Sequence, residues 1–395
     1  GTNDWLNTLA VHEYRHLAQF NKSRTGFNKL FYYMFGQNTQ AAMASVAAPQ
    51  WFWEGDAVVT ETAFTQSGRG RMPAFNRIFR ANLLEGKHYN YNKQSLRSYK
   101  DFVPNHYVLG YHMVAHIRKE AGNADIFADV TKRTWDVPFI PFSFSSALKN
   151  KTGAYVMQHY NHMMTDLEQQ WREQLNNVQL TAFEKMTQRK NNTFTDYAYP
   201  SEMANGKIFS MKSGIGDIAQ FVMIGPEGQE EALFTPGMLN NSGMYTVAGN
   251  TIAWNEYGFD PRWSNQSYSV IKLYHQDTDQ LKVLTKKTRY HGAFLSPDVR
   301  QLATIESMEN GDYQLVILDT NSGKVVRQFD NQTEGLLTLP SWSADGKTIV
   351  FLSNVSERKS VQAIDLATGI EKSLIPAGLE NIGNPRLIGG RLYYQ

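Results

Sequence analysis

The chain changes its hydrophobic period once, and that change constrains its folding more than any other feature. Up to about residue 175, apolar residues recur every three or four positions, the spacing of one helical face. From about Tyr199, short alternating stretches take over, broken by Gly, Asn and Asp, as half-buried strands and their turns require. A run of helices followed by a run of strands reads as separate domains. At 395 residues, each half has chain enough for its own core. The expected fold is multidomain, α plus all-β: a mainly helical domain over 1–175, a linker over 176–198 and a strand domain over 199–395. Helices are expected over 3–21, 27–37, 50–65, 75–85, 105–121, 124–134, 142–149 and 153–175, with Asn3 or Asp4 capping the first. The linker holds the polar stretch Gln188-Arg189-Lys190-Asn191-Asn192-Thr193.

The strand half repeats itself. Ser296-Pro297-Asp298 precedes Gln301-Leu302-Ala303-Thr304, and Ser343-Ala344-Asp345-Gly346 precedes Thr348-Ile349-Val350-Phe351, with the two aspartates 47 residues apart. Leu318-Asp319-Thr320-Asn321-Ser322-Gly323-Lys324 parallels Ile364-Asp365-Leu366-Ala367-Thr368-Gly369 at an offset of 46. Weaker copies lie near 207–233 and 253–283. A period in the forties with several strands per unit marks β-propeller blades. The length accommodates about four blades and the start of a fifth at 386–394: either a closed four-blade ring or, as the unfinished fifth unit suggests, a larger ring cut short. Asp and Gly supply the backbone conformations such turns need, so no metal or catalysis is assigned to them. The S-x-D-G-K and D-x-x-T-G-K turns resemble those of TolB-type propellers. That resemblance implies substrate gating, partner binding or a lid over a cleft, and an exported bacterial protein, periplasmic or at the cell surface.

The helical half opens with His12-Glu13-Tyr14-Arg15-His16, an H-E-x-x-H motif. Two histidines four apart share a helical face, and both imidazoles can reach one ion. Glu13 sits about 100° round the helix and can touch a metal-bound water without ligating the metal. Trp5, Leu6, Leu9, Ala10, Leu17 and Phe20 give the same helix an apolar face, so the motif is partly buried. A catalytic zinc ion needs a third protein ligand. Gln19 and Lys22 stand where a metzincin would have Gly and His, which excludes that class. Between His16 and Glu54 there is no Asp, Glu, His or Cys. The first candidate is therefore Glu54, in Trp51-Phe52-Trp53-Glu54-Gly55-Asp56-Ala57, with Asp56 as the alternative. Glu61, two helical turns beyond Glu54, shares its face and is expected to orient a histidine or a nearby backbone group.

H-E-x-x-H followed by W-x-x-E-G-x-A-x-x-x-E resembles the gluzincin metallopeptidases of the aminopeptidase N type. The resemblance covers roughly residues 1–175. It implies Zn2+ held by His12, His16 and Glu54, with Glu13 as general base in peptide hydrolysis. Tyr107-Val108-Leu109-Gly110 resembles the family's Y-x-x-G element, which implies that Tyr107 stabilises the oxyanion. The chain also departs from the family. Its spacer from His16 to Glu54 is 37 residues, about twice the usual length, and includes Phe31-Tyr32-Tyr33-Met34-Phe35 and the small-residue run 40–48, an inserted helix or a loop over the cleft. Leu109 replaces the family's lysine. The family's amine-binding exopeptidase motif lies upstream of H-E-x-x-H, where this chain has eleven residues, so aminopeptidase activity is not carried over.

The rival reading is a non-catalytic propeller scaffold with a structural or vestigial zinc site; a third is a zinc hydrolase acting on a small amide or epoxide. A structural site has no use for Glu13. His112 and His116 are expected to pack or face solvent, and His159 and His162 to face solvent. There is no cysteine, so neither disulfides nor thiolate metal sites exist. The net charge of +2 comes from interspersed acids and bases, without the basic stripe that nucleic-acid binding needs. No apolar run reaches the roughly 18 residues of a membrane span. No signal peptide is visible, and both ends read as cut. The expected partner is a peptide or protein substrate.

Overall fold

A computed structural model of the chain describes residues 5–66, 68–187, 193–239, 244–356 and 358–395, with Trp5 described by its backbone alone. The expected cap at Asn3 or Asp4, and residues 188–192 of the expected linker, lie outside the described residues. The chain forms two compact units, one ending at Ala182 and the other beginning at Phe183. Among the described residues, no helix is long and apolar enough to cross a membrane.

The first unit is helical: α1 (Trp5–Lys22), α2 (Gly26–Phe35), α3 (Gln37–Ala47), α4 (Gln50–Phe64), α5 (Pro73–Leu84), α6 (Tyr91–Leu96), α7 (His106–Glu120), α8 (Ile126–Asp136), α9 (Ser143–Thr152) and α10 (Val156–Asn176), with a 3₁₀ turn at Arg69–Arg71. The expected helix over 27–37 is α2, and a separate helix, α3, follows it. They break at Gly36, whose φ of 83° suits a residue without a Cβ. The second of them, α3, holds the small-residue run. The short α6 was not foreseen; it starts where the Asn90 side chain accepts from the Lys93 amide.

Helix α4 is the centre of this unit. Trp51, Phe52, Trp53, Ala57 and Val58 are buried on several of its faces, as in a helix surrounded by protein. Its closest neighbour is α7, and the reason is glycine. A Cβ on Gly55 would lie 2.1 Å from the carbonyl carbon of Gly110, and one on Gly110 would lie 1.9 Å from the Trp51 carbonyl oxygen. The two backbones touch because neither residue has a side chain. Around this crossing pack Phe79, Leu83, Leu109, Met113, Ile117, Trp135 and Tyr160.

The second unit contains four antiparallel sheets of four strands, each built from strands consecutive in sequence. They span residues 195–234, 246–283, 290–330 and 336–378, and a two-stranded hairpin follows at 386–393. The first strand begins at Thr195, inside the segment the sequence reading left to the linker. Consecutive sheets share their cores pairwise. Phe209 and Phe221 meet Ile252 and Trp254; Ala253 and Ile271 meet Leu295 and Leu302; Ile305 and Ile317 meet Ile349 and Phe351. Four-stranded sheets stacked in succession are the blades of a β-propeller. The repeated turns are built alike. Ser296 Oγ donates to Asp298 at 2.6 Å and accepts the Gln301 amide at 3.0 Å, while Ser343 Oγ donates to Asp345 at 2.6 Å and accepts the Thr348 amide at 3.0 Å.

Candidate metal centre

Helix α1 presents His12 and His16 to α4, which presents Glu54. The His12 Nε2 to Glu54 Oε2 distance is 3.2 Å, the His16 Nε2 to Glu54 Oε2 distance 3.4 Å, and the two Nε2 atoms are 3.2 Å apart. The outer ring nitrogens fix the tautomers. His12 Nδ1 lies 2.9 Å from Glu61 Oε2, which only accepts, and 3.0 Å from Arg69 Nη2, which only donates; Nη2 is already engaged by Glu61 Oε2 at 2.8 Å, so Nδ1 carries the hydrogen to the carboxylate. His16 Nδ1 lies 2.9 Å from Gln19 Oε1, while the Gln19 amide nitrogen donates to Asp56 at 2.9 Å and to the Trp53 carbonyl at 3.2 Å. The Gln19 oxygen therefore accepts, and His16 Nδ1 donates. In both neutral rings the Nε2 lone pair faces the common centre.

Two lone pairs and a carboxylate oxygen in mutual contact repel unless something positive sits among them. A proton is one solution. Burial works against a charged His12, but hydrogen bonds to Glu54 and Glu61 outweigh it and push its pKa up to about 9. Burial also disfavours ionised Glu54, yet hydrogen bonds from His12 and His16 hold it well below the ordinary carboxylate range. A divalent ion is the other solution. Ligands bonded tetrahedrally to zinc at about 2.0–2.1 Å are about 3.3–3.4 Å apart, close to the separations here. The donor set, two imidazoles and one carboxylate, is that of a catalytic zinc site, and it leaves a fourth position free. Side-chain exposure is 6% for His12, 18% for His16 and 20% for Glu54, so the centre is reached by water from one side.

The other expected residues surround this cluster. Glu61 is fully buried and held by Arg69, whose Nε donates to Oε1 at 2.7 Å and whose Nη2 donates to Oε2 at 2.8 Å. Glu13 is exposed beside His12. The Tyr107 ring lies 6.1 Å from the His12 ring, and the Arg69 guanidinium sits 5.0 Å from its centre. Burial first, and then the charge of Glu54, raises the Tyr107 pKa, so the phenol keeps its proton at neutral pH. The Gly55–Gly110 crossing puts Tyr107 here, because it sits one turn before Gly110 on α7.

Arg69 and Gln19 escaped the sequence reading. A signal for Arg69 was present: it lies between Gly68 and Gly70. A Cβ on Gly68 would lie 2.3 Å from Thr62 Cα, and one on Gly70 would lie 2.4 Å from the Tyr111 ring. Glycine on both flanks lets this turn press against α4 and α7. Asp56, the alternative ligand, belongs to a different network. Its carboxylate accepts from Arg15 at 2.7 Å, Gln19 at 2.9 Å and Arg118 at 2.9 Å. His159 was expected to face solvent and does not. It is 1% exposed and bonded to Glu120 and Thr152, because that face of α10 packs inward. His162 is exposed but also meets Glu120, at 2.8 Å. His112 packs among the rings of Phe79, Tyr111 and Trp171.

No family model matches the chain, and no curated protein matches it. Solved structures with similar regions include TolB from Acinetobacter baumannii, 19% identical over 47% of this chain and 45% of that one, with a TM-score of 0.39. An acylaminoacyl peptidase from Pyrococcus horikoshii is 12% identical over 47% of this chain and 33% of that one, with a TM-score of 0.33. A prolyl endopeptidase is 14% identical over 51% and 39%, with a TM-score of 0.34. The chain thus spans less than half the length of each of these structures. Likenesses this distant carry no argument about activity; the propeller assignment rests on the sheets themselves.

Proposed function

We propose that the helical unit is a zinc-dependent peptidase whose centre is His12, His16 and Glu54. The observation that carries this reading is the convergence of three acceptor atoms, 3.2–3.4 Å apart, at a point open to solvent beside an unengaged glutamate of the same motif. A structural zinc site is closed by a fourth protein ligand, and among the described residues this cluster has three. Zinc bound there would lower the pKa of a water to about 7 and polarise a carbonyl. The remaining work falls to the chain's own side chains. Glu13 takes the proton of the attacking water and returns it to the leaving amine. The neutral phenol of Tyr107 donates to the oxygen on which negative charge develops. Glu61, clamped by Arg69, and Gln19, clamped by Asp56, hold the two imidazoles in the tautomers that aim Nε2 inward.

Two substitutions test this. Glu13→Gln should leave bound zinc unchanged and reduce hydrolysis of an unfolded protein substrate by at least about 10²-fold; equal turnover would remove Glu13 from the mechanism. Tyr107→Phe should lower kcat about 10²-fold with little change in KM, the pattern of a contact made only in the transition state. Stoichiometric zinc with no turnover on any peptide would favour the scaffold reading instead.

A further inference from the structure

The last turn of α7 and the middle of α10 bring together a second set of donors that the proposed reaction does not use. Helix α7 contributes His116 and Glu120 at i, i+4, and α10 contributes His159 and His162 at i, i+3. Glu120 is at the centre. Its Oε2 lies 2.5 Å from His159 Nδ1 and 3.4 Å from His116 Nε2, and its Oε1 lies 2.8 Å from His162 Nδ1. Ligand atoms of Glu120, His159 and His162 lie within 4.8 Å of one another.

An ordinary ion-pair cluster accounts for His159 and His162, which can each donate to the carboxylate. It does not account for His116. That side chain is 9% exposed, and its Nε2 is buried without a hydrogen-bond partner among the described residues. Its Nδ1 lies 3.6 Å from Asp166 and its Nε2 3.4 Å from Glu120 Oε2, and neither contact is a hydrogen bond. A cation beside Glu120 would satisfy this orphaned nitrogen and the carboxylate together. Beside the cluster a cavity of about 370 Å³, lined by His116, Lys119, Glu120, His162, Thr165 and Asp166, provides a route for an ion.

We infer that Glu120, His159 and His162 form a second divalent-metal site, independent of the one on α1 and α4, which His116 joins by turning its Nε2 in from 3.4 Å off Glu120. Three imidazoles and one carboxylate select a borderline ion such as Zn2+, Ni2+ or Cu2+ over Mg2+ or Ca2+. On binding, the contacts of 2.5 and 2.8 Å to Glu120 widen toward the ~3.3 Å spacing of ligands around such an ion. Glu120 can withdraw, because it is the last residue of α7 and its side chain is 34% exposed. The ion fastens the end of α7 to α10.

The test counts metal on the full chain, stripped with a chelator and dialysed against Zn2+. Wild type should hold two ions per chain. The double variant Glu120→Ala, His162→Ala should lose one, and His16→Ala should lose the other. A folded double variant that holds as many ions as wild type overturns the inference. If wild type holds one ion, its loss in the double variant supports this site and sinks the zinc reading of α1 and α4; its retention does the reverse. No zinc at all overturns both. Should the double variant misfold, His162→Ala alone should weaken one equivalent at least about tenfold, and undiminished affinity for both equivalents overturns the inference. Excess Mg2+ should displace neither ion, and its displacement of the ion on α7 and α10 would likewise count against this site.

Discussion

The two units use aspartate in opposite ways. In the helical unit, Asp56 is fully buried and is satisfied by Arg15, Gln19 and Arg118, which stand 41, 37 and 62 residues away in sequence. In the propeller, Asp298 and Asp345 are satisfied two residues away, by Ser296 and Ser343 and by their own turn amides. The first arrangement is a long-range network that reaches His16 through Gln19. The second is local turn chemistry repeated from blade to blade. The lesson is that a buried charge held by distant partners organises a site, whereas an exposed one held by its neighbours organises the backbone.

Removing each kind of aspartate partner should therefore give unequal losses. The largest is expected for Asp56→Ala, which leaves the guanidinium groups of Arg15 and Arg118 without their shared carboxylate. Breaking a buried pair this way costs about 3–5 kcal/mol. Hydrogen exchange should then accelerate across α4 and α7 and stay unchanged in the blades; equal acceleration in both units would dissolve the contrast. Next comes acid. Burial alone lowers the pKa of His112 from 6.5 to about 4, and its Nε2 finds no hydrogen-bond partner among the described residues. On unfolding, this ring takes up a proton between about pH 4 and 6.5. The helical unit should thus lose stability as pH falls from about 6.5 to 4, by up to about 3 kcal/mol, and no further from this group below 4. His112→Leu should flatten that part of the pH profile, as followed by exchange of the α7 amides. The smallest effect is expected in the propeller. Ser343→Ala should cost about 1 kcal/mol, and Ser296→Ala the same, because the two hydroxyls make matching bonds. Clearly different losses would show that the repeat is one of sequence rather than of energetics.

What could be read from the sequence follows the same division. The blades were legible because each turn is closed by residues two to five positions apart, a distance at which Ser, Asp and Gly leave a visible pattern. The residues that converge in the candidate metal centre were legible for two reasons. Histidines four apart must share a face, and a stretch without acids left Glu54 as the first carboxylate after His16. Arg69 and Gln19 were not legible, because nothing local says which arginine or amide will meet a buried carboxylate. The burial of His159 was missed for a related reason: on a helix with polar residues on most sides, the inward face is decided by its neighbours, here α7 and α9. That the run 40–48 is a helix rather than a loop was not legible, because small residues carry no apolar spacing that decides between them.

The Gly55–Gly110 crossing has a consequence for how this centre can vary. The separation between the helix that carries Glu54 and the one that carries Tyr107 is set by main-chain atoms in direct contact, with no side chain between them to be trimmed or enlarged. Drift elsewhere in the core can tilt or slide these helices but cannot bring them closer, and any side chain larger than hydrogen at either position pushes them apart. The gauge of the centre is thus written in two hydrogen atoms, and every change in its reach must come from the loops and helices that surround it.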